Sequence, residues 1–410
     1  VSLAVAASTQ SGTRVEILPG LDGIYPESVV VDRGQQFVFL GLDPLSLGRT
    51  ITIDGGSGPA FDVVTTAGTS RHRLENLVLR GGTGIRAAVG TELAGITLEA
   101  IPGVGLDLDS GNHEAKRVRW TSTVQHGIGL ASGASLTLRR SRFEDIGGTA
   151  ATLLGAVTFE NVLIGSPGSG LVVGATGSAT LRHVTLANGS GIGVDASSGG
   201  TVSIAFSVLW GNVGGDLVGV PCTNVSWSDV GTVNCTPGTG NLQADPTFVG
   251  GMNYHVLPGS PILDAGPAPA EFAANPCLDL DGGPRQRDWD GDGYAHRDLG
   301  AYEHADGSLS PGEVTGLTWT GKTALSWIAL PGHLGEYHVY RDALASLSYA
   351  HFVICRDDLD GNRTDLQLLD SETPAPGAGY SYLITADAGG EEGTLGYGRC
   401  TERSNFEPCP

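Results

Sequence analysis

Short runs in which apolar and polar residues alternate, each closed by a glycine, recur along the first half of this chain at nearly constant spacing. The clearest marker is a Gly-apolar pair. Gly84-Ile85, Gly105-Leu106, Gly127-Ile128, Gly148-Thr149, Gly170-Leu171 and Gly191-Ile192 follow one another at intervals of 21 or 22 residues, with Thr149 in the apolar slot of the fourth. A repeat near twenty residues cannot bury its own apolar face, so it stacks on its neighbours and makes a continuous core. Stretches such as LENLVLRGGTGIRAAVG and ATLRHVTLANGSGIGVDASSG carry no helical period and read as two short strands joined by tight turns. The predicted elements over residues 13–217 are therefore parallel β-strands wound about one axis, each coil rising by about 4.8 Å. Ile85, Leu106, Ile128, Leu171 and Ile192 are expected to stack along one side. Leu98, Trp120, Leu163 and Val184 are expected in inward ladders, and Asn188 and Asn212 at turns that tolerate left-handed backbone.

These coils, with the opening TRVEILPG and YPESVVVDRG, resemble the right-handed parallel β-helix proteins of the pectate-lyase-like superfamily. The resemblance spans residues 1–305 and implies a short N-terminal segment, VSLAVAAS, capping the first coil. It implies a fold more than an activity, because that superfold hosts lyases, hydrolases, epimerases and adhesins. The phrases NLQADPTFVG, YHVLPGSPILDAGP, DLDGGPR and DLGAYEH, within 241–305, look like the terminal module of secreted bacterial β-helix proteins. Such a module covers the apolar cross-section and strand edges of the last coil. After a linker at Ser308–Gly312, the strands around Trp327, YHVY and YSYLITA resemble a fibronectin type III domain. The expected fold class is all-β: a β-helix over 1–240, its capping module over 241–305, and a β-sandwich over 306–410.

Composition adds constraints. The chain holds 64 glycines yet is 40% hydrophobic, which suits many tight turns around a real core. A formal charge of −21 argues against nucleic acid as a partner and favours Ca²⁺. No apolar run is long enough to span a bilayer. VSLAVAAS lacks a basic leader, so the N-terminus reads as mature or trimmed. Six cysteines without zinc-ligand spacing suggest disulfides and an oxidising compartment, with Cys222 and Cys235 the expected pair. The pairing of Cys277, Cys355, Cys400 and Cys409 stays open.

The strongest local chemistry is DWDGDGYAHRD. Asp288, Asp290 and Asp292 alternate, Gly293 sits where a calcium loop turns sharply, and Tyr294 offers its carbonyl. Leu299 occupies the place of the usual bidentate Glu, so Asp298 or Glu303 is expected to substitute. The acidic runs Asp107–Glu114 and Asp357–Asn362 could each bind a cation, although such runs are more often hydrated turns. Lys116, Arg117 and Arg119, with Arg139, Arg140 and Arg142 one coil on, form the cationic cluster that an acidic glycan would need. Trp210, Trp227 and Trp289 lie near loops, as sugar-stacking or packing residues. His126-Gly127-Ile128-Gly129 is a copy of the repeat, and no catalytic constellation is assigned.

The expectation is a secreted or cell-surface structural or adhesive protein with a structural Ca²⁺, its partners being further copies joined head to tail or surface glycans. The alternative is a polysaccharide lyase or glycoside hydrolase acting on acidic glycans.

Overall fold

Every second residue of the repeat strands is apolar, and in the computed structural model these residues turn inward. The structure describes residues 13–18, 23–32, 36–41, 50–64, 71–123, 125–236, 239–267, 278–283, 285, 296–304, 314, 316–330, 335–344 and 364–387. Among them the chain is nearly all β, with no α-helix and a single 3-10 turn at Cys222–Asn224. A parallel solenoid of about nine turns comes first, its strands forming one sheet of fifteen and one of nine, and smaller antiparallel sheets follow. The chain divides into two compact units, Val1–Ile262 with Leu299–Tyr302, and Leu263–Asp298 with Glu303–Pro410.

In the nine-stranded sheet the inward ladder runs Phe61, Ile85, Leu106, Ile128, Ala151, Leu171, Val194, Leu217. The expected stack holds at Ile85, Leu106, Ile128 and Leu171. It fails at Ile192, which is only half-buried while Val194 fills the slot. The marker glycines show why. A Cβ on Gly84, Gly105, Gly127 or Gly170 would come within 2.4 to 2.8 Å of Leu98, Trp120, Phe143 or Leu186, so glycine is needed where a bulky residue of the facing sheet presses in. The coil of Ala150-Ala151 accommodates a methyl group. The pairs Gly148-Thr149 and Gly191-Ile192 are accordingly two residues out of frame.

The facing ladder runs Leu79, Leu98, Trp120, Phe143, Ile164, Leu186, Leu209, Val230. Trp120 stacks on Phe143 with ring centroids 4.0 Å apart, and its Nε1 donates to the Gly127 carbonyl at 2.9 Å. Val184 lies in a second inward row, paired with Val162 beside a bend and buried in the same core. Leu163 departs from the expectation and shares an outward row with Thr185 and Val208. That row is nevertheless buried. The backbone N–H of Ala301 donates to Thr185 Oγ1 at 2.9 Å and that of Gly300 to the Phe206 carbonyl at 2.8 Å. The Tyr254 ring lies against Gly165. Part of the segment expected to close the end thus covers a lateral face.

One left-handed residue per coil bends the long sheet: Asn76, Gly95, Arg117, Arg140, Asn161, His183, Phe206 and Trp227, with φ from 45° to 64°. Non-glycine residues rarely adopt this backbone, and hydroxyl groups brace it. Ser141 Oγ accepts the Val118 N–H at 3.0 Å, Ser207 Oγ that of Val184 at 3.1 Å, and Ser228 Oγ that of Ser207 at 3.1 Å. Asn241 Oδ1 ends the series on the Ser228 N–H at 3.1 Å. At a second corner Asn188 is left-handed as expected, whereas Gly211 and not Asn212 takes that conformation one coil on. Cys222 and Cys235 form the expected disulfide, with Cα atoms 5.2 Å apart. The other four cysteines and VSLAVAAS lie outside the described residues.

In the second unit, Thr318–Trp319, Ala324–Ser326 and Gln367–Leu369 form one antiparallel sheet, and Glu336–Ala343 with Tyr380–Asp387 form another. Val314, Leu325, Trp327, Val339, Leu368 and Ile384 share one core, consistent with a β-sandwich.

Candidate functional site

Charged side chains cannot enter the ladders, so they collect on the outer face of the long sheet, where register decides which of them meet. Arg73, Glu92 and Glu114 occupy one row. Ala94, Lys116, Arg139 and Glu160 occupy the next. Together Arg73, Glu92, Glu114, Lys116 and Arg139 line a shallow groove. Most of its charges are paired. Arg71 bridges Glu114 at 2.5 Å and reaches Glu92 at 3.9 Å, Arg73 pairs with Glu75, and Arg139 lies 3.4 Å from Glu160. Lys116 makes no ion pair among the described residues.

Of the six cations singled out in the sequence, the groove gathers Lys116 and Arg139. Arg117 and Arg140 occupy left-handed corners. Arg119 bonds Glu144 at 2.7 Å, and Arg142 lies 5.7 Å from the centroid of the Tyr302 ring. His113 points inward. Its Nε2 lies 2.9 Å from the Ser110 carbonyl, which can only accept, so Nε2 carries the proton and Nδ1 accepts from Thr91 Oγ1 at 3.0 Å. Burial lowers its pKa to about 4. Trp210 packs against Gly231, and Trp227 against Gly240.

Asp288, Asp290, Asp292 and Tyr294 of the expected calcium loop, together with Trp289 and the run Asp357–Asn362, lie outside the described residues. Asp298 is described and is buried. Its Oδ1 accepts the Asp264 N–H at 2.9 Å and its Oδ2 the His304 N–H at 2.6 Å. Each oxygen keeps a second lone pair, so the residue retains capacity for a cation while already fixing two stretches of backbone. Around it runs a network that no sequence motif marks. Asp279 Oδ1 accepts from Gly282 and Gly283, both at 2.7 Å, and its Oδ2 from the Glu303 N–H at 3.0 Å. Arg285 Nη1 donates to Glu303 Oε2 at 3.3 Å. Burial, with the Asp298 charge adding to it, pushes the Glu303 carboxyl well above its ordinary range. Burial also lowers Arg285, against the pull of Glu303 and Asp279. Arg297 is lowered to about 10 by burial and then by the Arg285 charge. The phrases DLDGGPR and DLGAYEH are thus two halves of one polar cluster.

Among the described residues no group of three or more His, Cys, Asp or Glu side chains is disposed to hold a metal ion, and no helix is long and apolar enough to cross a membrane. Neither a protein-family model nor a curated protein matches the chain.

Proposed function

We propose that this chain is a secreted or cell-surface β-solenoid, pectate-lyase-like in fold with a fibronectin type III-like C-terminal domain, that serves as a rigid adhesive or structural element. The observation that carries this reading is the use of charge between coils. Arg86 with Asp62, Arg80 with Glu99, Arg71 with Glu114, Arg119 with Glu144 and Arg139 with Glu160 each join side chains 19 to 43 residues apart. They act as lateral struts, and exposed pairs of this kind are individually weak but numerous. The Cys222–Cys235 disulfide suits an oxidising, extracellular setting. A structural Ca²⁺ in the Asp288–Asp298 loop belongs to this reading, as do head-to-tail association and surface glycans as partners. The rival reading, a lyase for acidic glycans, draws on Glu92 and Glu114 lying in adjacent coils beside Lys116 and Arg139.

One experiment separates them. The full chain is incubated with a panel of acidic and neutral glycans while ultraviolet absorbance from unsaturated uronate, reducing ends and retention on immobilised glycan are followed, with light scattering of the protein alone. Retention or self-association without turnover is expected. Turnover abolished by Lys116→Ala would replace the structural reading with the lyase. A monodisperse 42 kDa species that neither retains nor cleaves any glycan would overturn both.

A further inference from the structure

In the second unit the core side of the sheets changes character toward one end. Glu336–Ala343 and Tyr380–Asp387 pair with Tyr337 opposite Ala386 and Val339 opposite Ile384, and these four residues lie in the apolar core. Side chains two apart on a strand share a face. Arg341 with Tyr382, and then Ala343 with Tyr380, therefore continue the same side. On the other sheet Trp319 lies opposite the core residue Leu325 and is brought to that side as well. Its ring and that of Tyr382 meet edge to face, with centroids 5.4 Å apart. Where further aliphatic residues would close the sandwich, the chain places a guanidinium and three aromatic rings.

The guanidinium is firmly held. Arg341 Nη1 donates to Asp370 Oδ2 and Nη2 to Glu372 Oε2, each at 2.5 Å, and the Tyr382 hydroxyl donates to Asp370 Oδ2 at 2.8 Å. Arg341 Cζ lies 4.1 Å from the centroid of the Tyr380 ring. Arg341 and Asp370 are buried, whereas the groups around them reach solvent. The Glu372 side chain is 54% exposed and Trp319 48%, with Tyr380 and Tyr382 half-buried. Replacing a buried ion cluster with apolar side chains of similar volume often costs nothing, so stability alone does not account for the triad. An indole on the core side of a sheet that stands half in water also forgoes burial. A ligand seated on these rings would complete it.

We propose that this end of the second unit binds a neutral glycan chain, with the Trp319, Tyr380 and Tyr382 rings against the sugar faces and Glu372 accepting from sugar hydroxyls. The inference rests on the reading that surface glycans are partners of this protein, and it gives their seat and their charge. Ligand sites set a few polar groups among aromatic rings that offer an apolar face and a polar handle. Charge selects the glycan. One cation faces two carboxylates, on a chain of formal charge −21, which disfavours uronates and sulfated sugars. A cationic ligand is disfavoured in turn, because Arg341 already lies over the Tyr380 ring.

Cellohexaose, xylohexaose and mannohexaose are the neutral probes, hexagalacturonate the acidic one and choline the cationic one. Each is titrated by calorimetry into the full chain and into Trp319→Ala, Glu372→Gln and Lys116→Ala variants, with melting curves to show that each variant folds. Saturable binding of at least one neutral hexasaccharide is expected, about tenfold weaker in Trp319→Ala, where an aromatic anchor is lost. Glu372→Gln should weaken it to a lesser degree, and Lys116→Ala, in the solenoid groove, should leave it unchanged. Should Trp319→Ala fail to fold, Glu372→Gln carries the test, because its side chain stands largely in solvent. Binding that survives both Trp319→Ala and Glu372→Gln overturns the site; its loss in Lys116→Ala would move the glycan to the solenoid and leave the adhesive reading intact. Binding of hexagalacturonate or choline that Trp319→Ala abolishes overturns the neutral-glycan assignment. Absence of any hexasaccharide binding overturns the site as well, while retention of the full chain on immobilised glycan judges the wider reading separately.

Discussion

Trp120 and Arg285 are the two largest fully buried side chains among the described residues, and they are buried in opposite ways. Trp120 sits between Leu98 of the preceding coil and Phe143 of the next, each in the same register position. Arg285 has no counterpart one repeat away. It is held by Glu303 at 3.3 Å, with the Asp279 and Asp298 charges in support and Arg297 in opposition. The ladder is redundant, because inner rungs pack on a rung of the same kind on either side. The network is singular: Asp279, Asp298 and Glu303 each meet a different set of donors, and none of those sets recurs one repeat away. A change in the ladder leaves a void, and a change in the network leaves a charge.

The largest effect is expected in the ladder. Trp120→Ala removes a ring stacked at 4.0 Å on Phe143 and a buried hydrogen bond to Gly127. The cost should be about 5 kcal/mol, the upper end for truncating a buried aromatic residue. Urea denaturation followed by far-ultraviolet circular dichroism measures it. A loss under about 1 kcal/mol would mean that neighbouring coils collapse into the gap, and the rungs would then be less closely packed than their contacts imply.

The same contrast explains what was legible in the sequence. The solenoid was, because Gly84-Ile85 and its copies repeat one packing problem. The frame errors at Thr149 and Ile192 arose because Gly148 and Gly191 also serve turns, and glycine does not declare which need it meets. The Cys222–Cys235 pair was legible from short spacing alone. The groove was half legible: Glu92 and Glu114 are 22 residues apart, one coil, but their adjacency requires the register. The network was not. Nothing in the order of Asp279, Arg285, Asp298 and Glu303 states which group answers which, since that depends on where the backbone brings them. The buried Asp229 did leave a signal, being an acid in the row that Val208 holds one coil earlier.

Removing the guanidinium sharpens the other side of the comparison. Arg285→Leu leaves the Glu303, Asp279 and Asp298 carboxylates without their central cation, and breaking a buried pair from one side costs about 3 kcal/mol. The double variant Arg285→Leu with Glu303→Leu should recover most of that loss, because replacing both partners with apolar groups removes the uncompensated charge. Thermal denaturation of the two single variants and the double variant closes the cycle. Losses that simply add would show that Arg285 and Glu303 are not coupled, and that the network is held by backbone acceptance at Asp279 and Asp298 instead.

The smallest effect tests the apolar region at one of its buried polar residues. His113 is buried and neutral among ladder residues, its pKa lowered from 6.5 to about 4, chiefly by burial. Between those values the unfolded chain binds a proton that the folded chain does not, so stability rises with pH. The contribution is fully present above pH 6.5 and is lost as the pH falls toward 4. At pH 5 the deficit relative to pH 7 should be about 2 kcal/mol. Asp229 works the other way. Raised from 3.8 to about 6, it favours the folded state at low pH and withdraws that support as the pH rises through this interval. The wild-type stability curve between pH 4 and 6 should therefore be flatter than either group alone would make it. His113→Gln should unmask a stability that falls with rising pH, and Asp229→Asn one that climbs. Equilibrium denaturation of the three proteins at pH 4, 5, 6 and 7 reads this directly. Parallel curves for all three would show that neither group titrates differently in the folded and unfolded chains, and that the solenoid admits enough water to treat both as surface residues.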